Sequence, residues 1–130
     1  MITIFRRADV DILEEDYPFY SKRYGKTTTA PKDFPSDGAT GVRDTKEKCY
    51  RIHDWDCFAA IWDDGSPMSF EEANNNYTDL LAEKGHWVYS HTRRSLYWVG
   101  RDAWEKHRRA EMRWQSMKVL AQFKADRGIH

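Results

Sequence analysis

The residues with the greatest chemical capacity lie between positions 49 and 64. Cys49, His53 and Cys57 recur at intervals of four, and on one continuous helix that spacing would align two thiols and an imidazole, all zinc-ligand types. The interval is not that of a standard zinc finger. Tetrahedral zinc would also need a fourth ligand, and His86 or His91 could serve only if the fold brought it close. The same stretch carries His53-Asp54-Trp55-Asp56 and Asp63-Asp64, carboxylates suited to holding a divalent cation beside a histidine base. Each also has a plainer use, Asp54 as a helix cap and Asp63-Asp64-Gly65 as a turn. Gly25-Lys26-Thr27 resembles the end of a phosphate-binding loop, but position 20 is Tyr20 where the loop needs a glycine. These residues assign no metal, no cofactor and no catalytic side chain, so a small metal-dependent hydrolase or nuclease ranks last among the functional readings.

The stronger pattern is one of charge. Residues 1 to 91 hold 11 Lys/Arg against 17 Asp/Glu, a net of −6, while residues 92 to 130 hold 10 against 4, a net of +6. A formal net charge of zero therefore conceals a basic end, and a polyanionic partner is not excluded. Arg93, Arg94, Arg101, Lys106, Arg109 and Arg113 form the basic set, with Trp98 nearby as a ring for stacking. An acidic protein surface would satisfy the same charges, and the bland alternative is a solvated helix face.

The elements that must position these groups follow from periodicity. Asp102 with Glu105 begins a helix that runs to Gly128. On it Ala103, His107, Ala110, Trp114, Met117 and Ala121 share one face, with Lys106, Arg109, Arg113, Lys124 and Arg127 as an adjacent stripe. The smaller apolar set opposite, Met112, Val119 and Phe123, would meet another copy of the chain. Ahead of it, His86 to Thr92 and Ser95 to Val99 read as a hairpin with Arg93-Arg94 at its tip. Ser69-Phe-Glu-Glu72 is a capping box opening a helix near 69 to 84, with Phe70, Ala73, Tyr77, Leu80 and Leu81 as its apolar stripe. Cys49 to His53 alternates like a strand, and Trp55, Phe58, Ala59 and Trp62 then suggest a short helix stopped by Gly65. Met1 to Phe5 reads as a further strand. Residues 17 to 48, with Pro18, Pro31, Pro35 and three glycines, show no sustained period and read as a long extended arm whose Tyr20, Lys22, Arg23 and Tyr24 would contact a partner.

The 130 residues suit a single domain, and aromatics at 15% argue for a folded chain despite a mean hydropathy of −0.88. The expected fold is α+β: a small, mostly antiparallel sheet from residues 1 to 5, 48 to 53, 86 to 92 and 95 to 99, packed by two or three helices, with the extended arm and the basic C-terminal helix. Residues 49 to 130 and the first strand would form the principal core. No run reaches the roughly 18 to 20 apolar residues of a membrane span, and Met1 to Phe5 leads into Arg6 and Arg7 without a signal-peptide core. A cytoplasmic protein with free thiols and no membrane partner is expected. The function these features favour is non-enzymatic binding of an anionic surface, nucleic acid or acidic protein; the alternative is an accessory or inhibitor protein, of the kind mobile elements carry, acting by protein-protein binding.

Overall fold

The computed structural model describes residues 11–36, 49–85 and 110–130. They form an α+β structure of two antiparallel strand pairs and three helices. β1 (Asp11–Ile12) pairs with β4 (Pro35–Ser36), and β2 (Tyr17–Ser21) pairs with β3 (Lys26–Ala30). The helices are α1 (Tyr50–Ala59), α2 (Phe70–Glu83) and α3 (Ala110–Arg127). The expected strand at 1 to 5 and the hairpin at 86 to 99 lie outside the described residues, as do residues 37 to 48 and the start of the last helix.

Much of the proline-rich stretch is regular. Tyr17 to Ser21 alternate between buried and outward positions, with Phe19 and Ser21 inside and Pro18 and Tyr20 outside. Thr27, Thr28 and Thr29 supply the β-branched partner strand. The turn closes at Gly25, whose φ of +66° suits a residue without Cβ and whose N–H donates to the Ser21 carbonyl at 2.8 Å. Five residues per strand, one of them Pro18, are too few for periodicity to separate from loop, so tertiary packing defines this hairpin.

The segment from 49 to 62 corrects the sequence reading. Tyr50 to His53 are the first turn of α1 and not a strand, so Asp54 lies within the helix and does not cap it. Seven of the ten α1 residues are buried, because the hairpin packs on one side and α2 on another. A helix covered on several sides shows little amphipathic period, which is why its first turn passes for alternation. The helix stops at Ala59. Ala60 adopts a left-handed conformation (φ 53°) and returns its N–H to the Asp56 carbonyl, so Trp62 is not a helical residue. It is fully buried on the chain that turns back through a bridge between Ile61 and Pro67. Gly65 makes that turn at φ +87°, and a Cβ there would come within 3.2 Å of the Ile129 side chain. Its role is a turn under the C-terminus, not a helix stop.

α2 matches its sequence signature. Ser69 Oγ accepts from the Glu72 N–H at 3.0 Å, and Glu72 Oε1 accepts from the Ser69 N–H at 2.8 Å, completing the capping box. Ala73, Tyr77, Leu80 and Leu81 are buried as expected. α3 is oriented opposite to the expectation. Val119 and Phe123, the smaller set assigned to an interface between copies, are buried in the core with Trp55, while Trp114, Met117 and Ala121 face outward. The side chains of Met112 and Arg113 fall outside the described residues. The larger apolar set loses because Phe123 packs against Trp55, with ring centroids 5.0 Å apart, whereas Trp114 remains 46% exposed.

Candidate functional site

Among the described residues, two regions combine chemical capacity with a defined geometry. The first is a polar cluster beneath the hairpin. α1 contributes His53, Asp54, Asp56 and Cys57, all buried, and α2 faces them with Asn74 and Asn76. The Thr28 hydroxyl donates to Asp56 Oδ1, and Ser36 donates to Asp54 Oδ2. Thr29 donates to Asp63 Oδ2 at 2.5 Å, so three carboxylates from α1 and the loop after it take hydroxyls from β3 and β4. Asn76 Nδ2 adds a 3.2 Å bond to Asp56 Oδ2.

This environment discourages charge. Burial pushes the Asp56 carboxyl up to about 8, against smaller opposing contributions from the Thr28 and Asn76 hydrogen bonds. Burial likewise lowers the His53 imidazole to about 4, although its bond to Asn74 opposes the shift. Asn74 Oδ1 can only accept, so His53 Nε2, 2.8 Å away, carries the proton, and the ring stacks on Tyr77 at 4.9 Å. Cys57 Sγ lies 3.5 Å from the same nitrogen. Its thiol is held well above the usual value by burial and then by Asp54 and Asp56, and so remains in the form least suited to nucleophilic attack or metal binding. The spacing of four does align His53 with Cys57 on α1. Cys49 belongs to a different part of the core, packed with Leu13, Phe34 and Trp55, whereas Cys57 packs with Trp62, Met68 and Ala73. Neither cysteine is in a disulfide.

The second region is the outer face of α3. Trp114 and Met117 are 46% and 49% exposed, and the Lys118 ammonium lies 3.8 Å from the Trp114 ring centroid. Lys124 follows in the last turn, where cations favour the helix C-terminus, and Arg127 turns to the core side of the helix. The Arg127 guanidinium covers the Phe123 ring at 3.9 Å. Of the expected anion-binding residues, Arg93, Arg94, Trp98, Arg101, Lys106 and Arg109 lie outside the described residues, as does the side chain of Arg113.

The four expected arm contacts divide. Tyr20 is 57% exposed and Lys22 is exposed at the hairpin turn. Arg23 is engaged with α2: its Nε and Nη2 donate to Asp79 at 2.9 and 2.8 Å. Tyr24 packs edge-on against Trp62 at 5.6 Å, and its hydroxyl accepts from Asn75 Nδ2 at 2.7 Å. Asn74 and Asn76 thus bond two side chains of α1 while Asn75 bonds the hairpin turn, and the sequence reading gave them no role. Their signal was available. Three consecutive asparagines inside a capped helix are poor helix formers, retained only where side-chain bonds repay the propensity.

The architecture and the site define a small α+β protein with a tied hairpin and an outward aromatic-basic helix face. No protein-family model, curated protein or solved structure matches the chain.

Proposed function

We propose that this protein is a non-enzymatic binding module whose α3 outer face engages an acidic protein surface. The observation that supports this reading is the outward Trp114 and Met117 beside Lys118, on a helix whose other side is fixed in the core by Val119 and Phe123. Tryptophan, methionine and flanking cations are the composition of an interface centre and its rim. The buried face holds the helix backbone in place, so binding has only these side chains to order. The sequence adds Arg93, Arg94, Arg101, Lys106, Arg109 and Arg113 to the cations and Trp98 to the rings, and Tyr20 and Lys22 add the hairpin's exposed contacts. Nucleic acid is the competing partner for such charge. The apolar pair favours protein, because phosphates reward cations and gain nothing from Met117.

The test is fluorescence anisotropy of a labelled acidic amphipathic peptide, and of labelled single- and double-stranded DNA and RNA, at two salt concentrations. Binding of the peptide that weakens in Trp114→Ala and Met117→Ala supports the reading. Tight, steeply salt-dependent binding to nucleic acid alone would replace it with a nucleic-acid surface, and no binding of any probe would overturn the anionic-partner reading.

A further inference from the structure

The core side of α3 is fully engaged. Gln115, Ser116, Val119 and Phe123 are buried, and Gln115 Nε2 donates to the Asp33 carbonyl at 3.0 Å. At the other end the Ile129 N–H returns to the Lys124 carbonyl at 2.9 Å, and the Ile129 side chain lies against Gly65. The helix is thus pinned from Gln115 to its C-terminal stop, and its opposite side is a fixed surface.

That surface is ordered along the helix axis. Trp114, Met117, Ala121 and Ala125 are exposed and recur at intervals of three, four and four, which places them in one stripe. The first two are large and the last two small, so the stripe passes from a ridge to a shallow seat. Lys118 flanks it on one side and Lys124 on the other, and residues 114 to 125 include no carboxylate. Asp126 faces away from the stripe, where it accepts from Gln122 and lines a cleft with Asp16 and Lys32. The side chain of Glu111, a turn before Trp114, lies outside the described residues.

We propose that α3 docks an acidic amphipathic helix lengthwise along the stripe from Trp114 to Ala125, with Ala121 and Ala125 as the seat for its large apolar side chains. The proposal rests on the reading of α3 as a binding face and adds the form of the partner. Side chains of a helix form ridges, and a ridge of the partner fits the low stretch over the two alanines while its acids meet Lys118 and Lys124. A β-strand would gain nothing comparable, because a helix face offers no free main-chain groups to pair with it. A second copy of α3 lacks the acids. Laid antiparallel about Ala121, two copies set Lys118 of one against Lys124 of the other; laid parallel, they set each lysine against its own counterpart, and like charges oppose both pairings. Lys118 keeps its place over the Trp114 ring and turns its outer side to the partner's carboxylate.

The test uses the full chain with two labelled probes, the acidic amphipathic peptide and the same peptide carrying a central proline that breaks its helix. Anisotropy should show the proline peptide binding at least about tenfold more weakly, and circular dichroism should show the intact peptide gaining helix on binding. Ala121→Phe fills the seat and should weaken the intact peptide by about tenfold or more, with the protein's own spectrum unchanged because position 121 is exposed. Equal affinity for the two peptides overturns the helical partner whether or not the variant folds. A folded Ala121→Phe protein that binds as tightly as wild type overturns the lengthwise seat. If Trp114→Ala still weakens binding in either case, the face stands and only the form of its partner is wrong; no binding of either peptide overturns both. Self-association in sedimentation equilibrium that Ala121→Phe abolishes would place a second copy on the stripe and overturn the acidic helix.

Discussion

Lys118 holds its ammonium 3.8 Å from the centre of the Trp114 ring, one turn along the exposed side of α3. A cation over an indole face stabilises by about 0.5 to 1 kcal/mol at a solvent-exposed site, too little to explain a large ring left outside the core. Trp114 and the core therefore make separate demands on the same helix, and substitutions on its two sides should separate them.

Phe123→Ala should destabilise the fold by about 3 to 5 kcal/mol, because it empties the space against Trp55. Met117→Ala, on the outward side, should change stability by no more than about 0.5 kcal/mol. Paired urea titrations check this. Comparable losses for the two would mean that α3 is turned the other way.

Stability should fall on the alkaline side of neutrality. The Asp56 carboxyl is raised to about 8 from 3.8, so its contribution is complete below about 3.8 and is lost as pH rises towards 8. The His53 imidazole is lowered to about 4 from 6.5, so its contribution is complete above about 6.5 and is lost as pH falls towards 4. Between about 4 and 6.5 the two slopes oppose each other and largely cancel. From 6.5 to 8 the Asp56 slope is no longer opposed by His53, and stability should decline by about 2 kcal/mol, at about 1.4 kcal/mol per unit. Denaturation curves at half-unit intervals read the profile directly; Asp56→Asn should flatten the decline, and a wild-type curve that rises over this interval would contradict the sign.

Ser69→Ala should cost about 1 kcal/mol, because it leaves the Glu72 N–H at the start of α2 without its side-chain acceptor. Ser69→Gly should cost less than that. Thermal melts of the two variants give the order.

Arg23 and Asp79 form a two-bond pair between the hairpin turn and α2, with Arg23 exposed and Asp79 partly so. Solvent screening limits their coupling to about 1 kcal/mol or less in a double-mutant cycle, and added salt should reduce it. A coupling of several kcal/mol would show that the pair is far better shielded than its exposure indicates.

The parts of this fold that were legible in the sequence are those in which local signals act alone. The Ser69 to Glu72 box, the stripe from Ala73 to Leu81 and the stop at Gly128 all depend on neighbours within a few residues. α1 was hidden because Ile52, Trp55, Asp56 and Cys57 are buried around much of its circumference, which erases the contrast that periodicity measures. The β2–β3 hairpin was hidden by its brevity and by Pro18. On α3 two apolar sets competed, and pattern could not decide which would find Trp55. The polar cluster was half visible: His53, Asp54, Asp56 and Cys57 drew notice as reactive types, whereas Thr28, Ser36, Asn74 and Asn76, which neutralise or engage them, are meaningful only through contacts made across 18 to 28 residues of sequence.

The binding face of α3 is the centre of this account, and the most direct measurement is the affinity of the full chain for the labelled acidic amphipathic peptide, compared between wild type and Trp114→Ala at low and physiological salt. The account predicts a loss of about tenfold or more in the variant, with its folding unchanged, and weaker binding of the wild type at the higher salt. Equal affinity of the two proteins, or wild-type binding indifferent to salt, would contradict it.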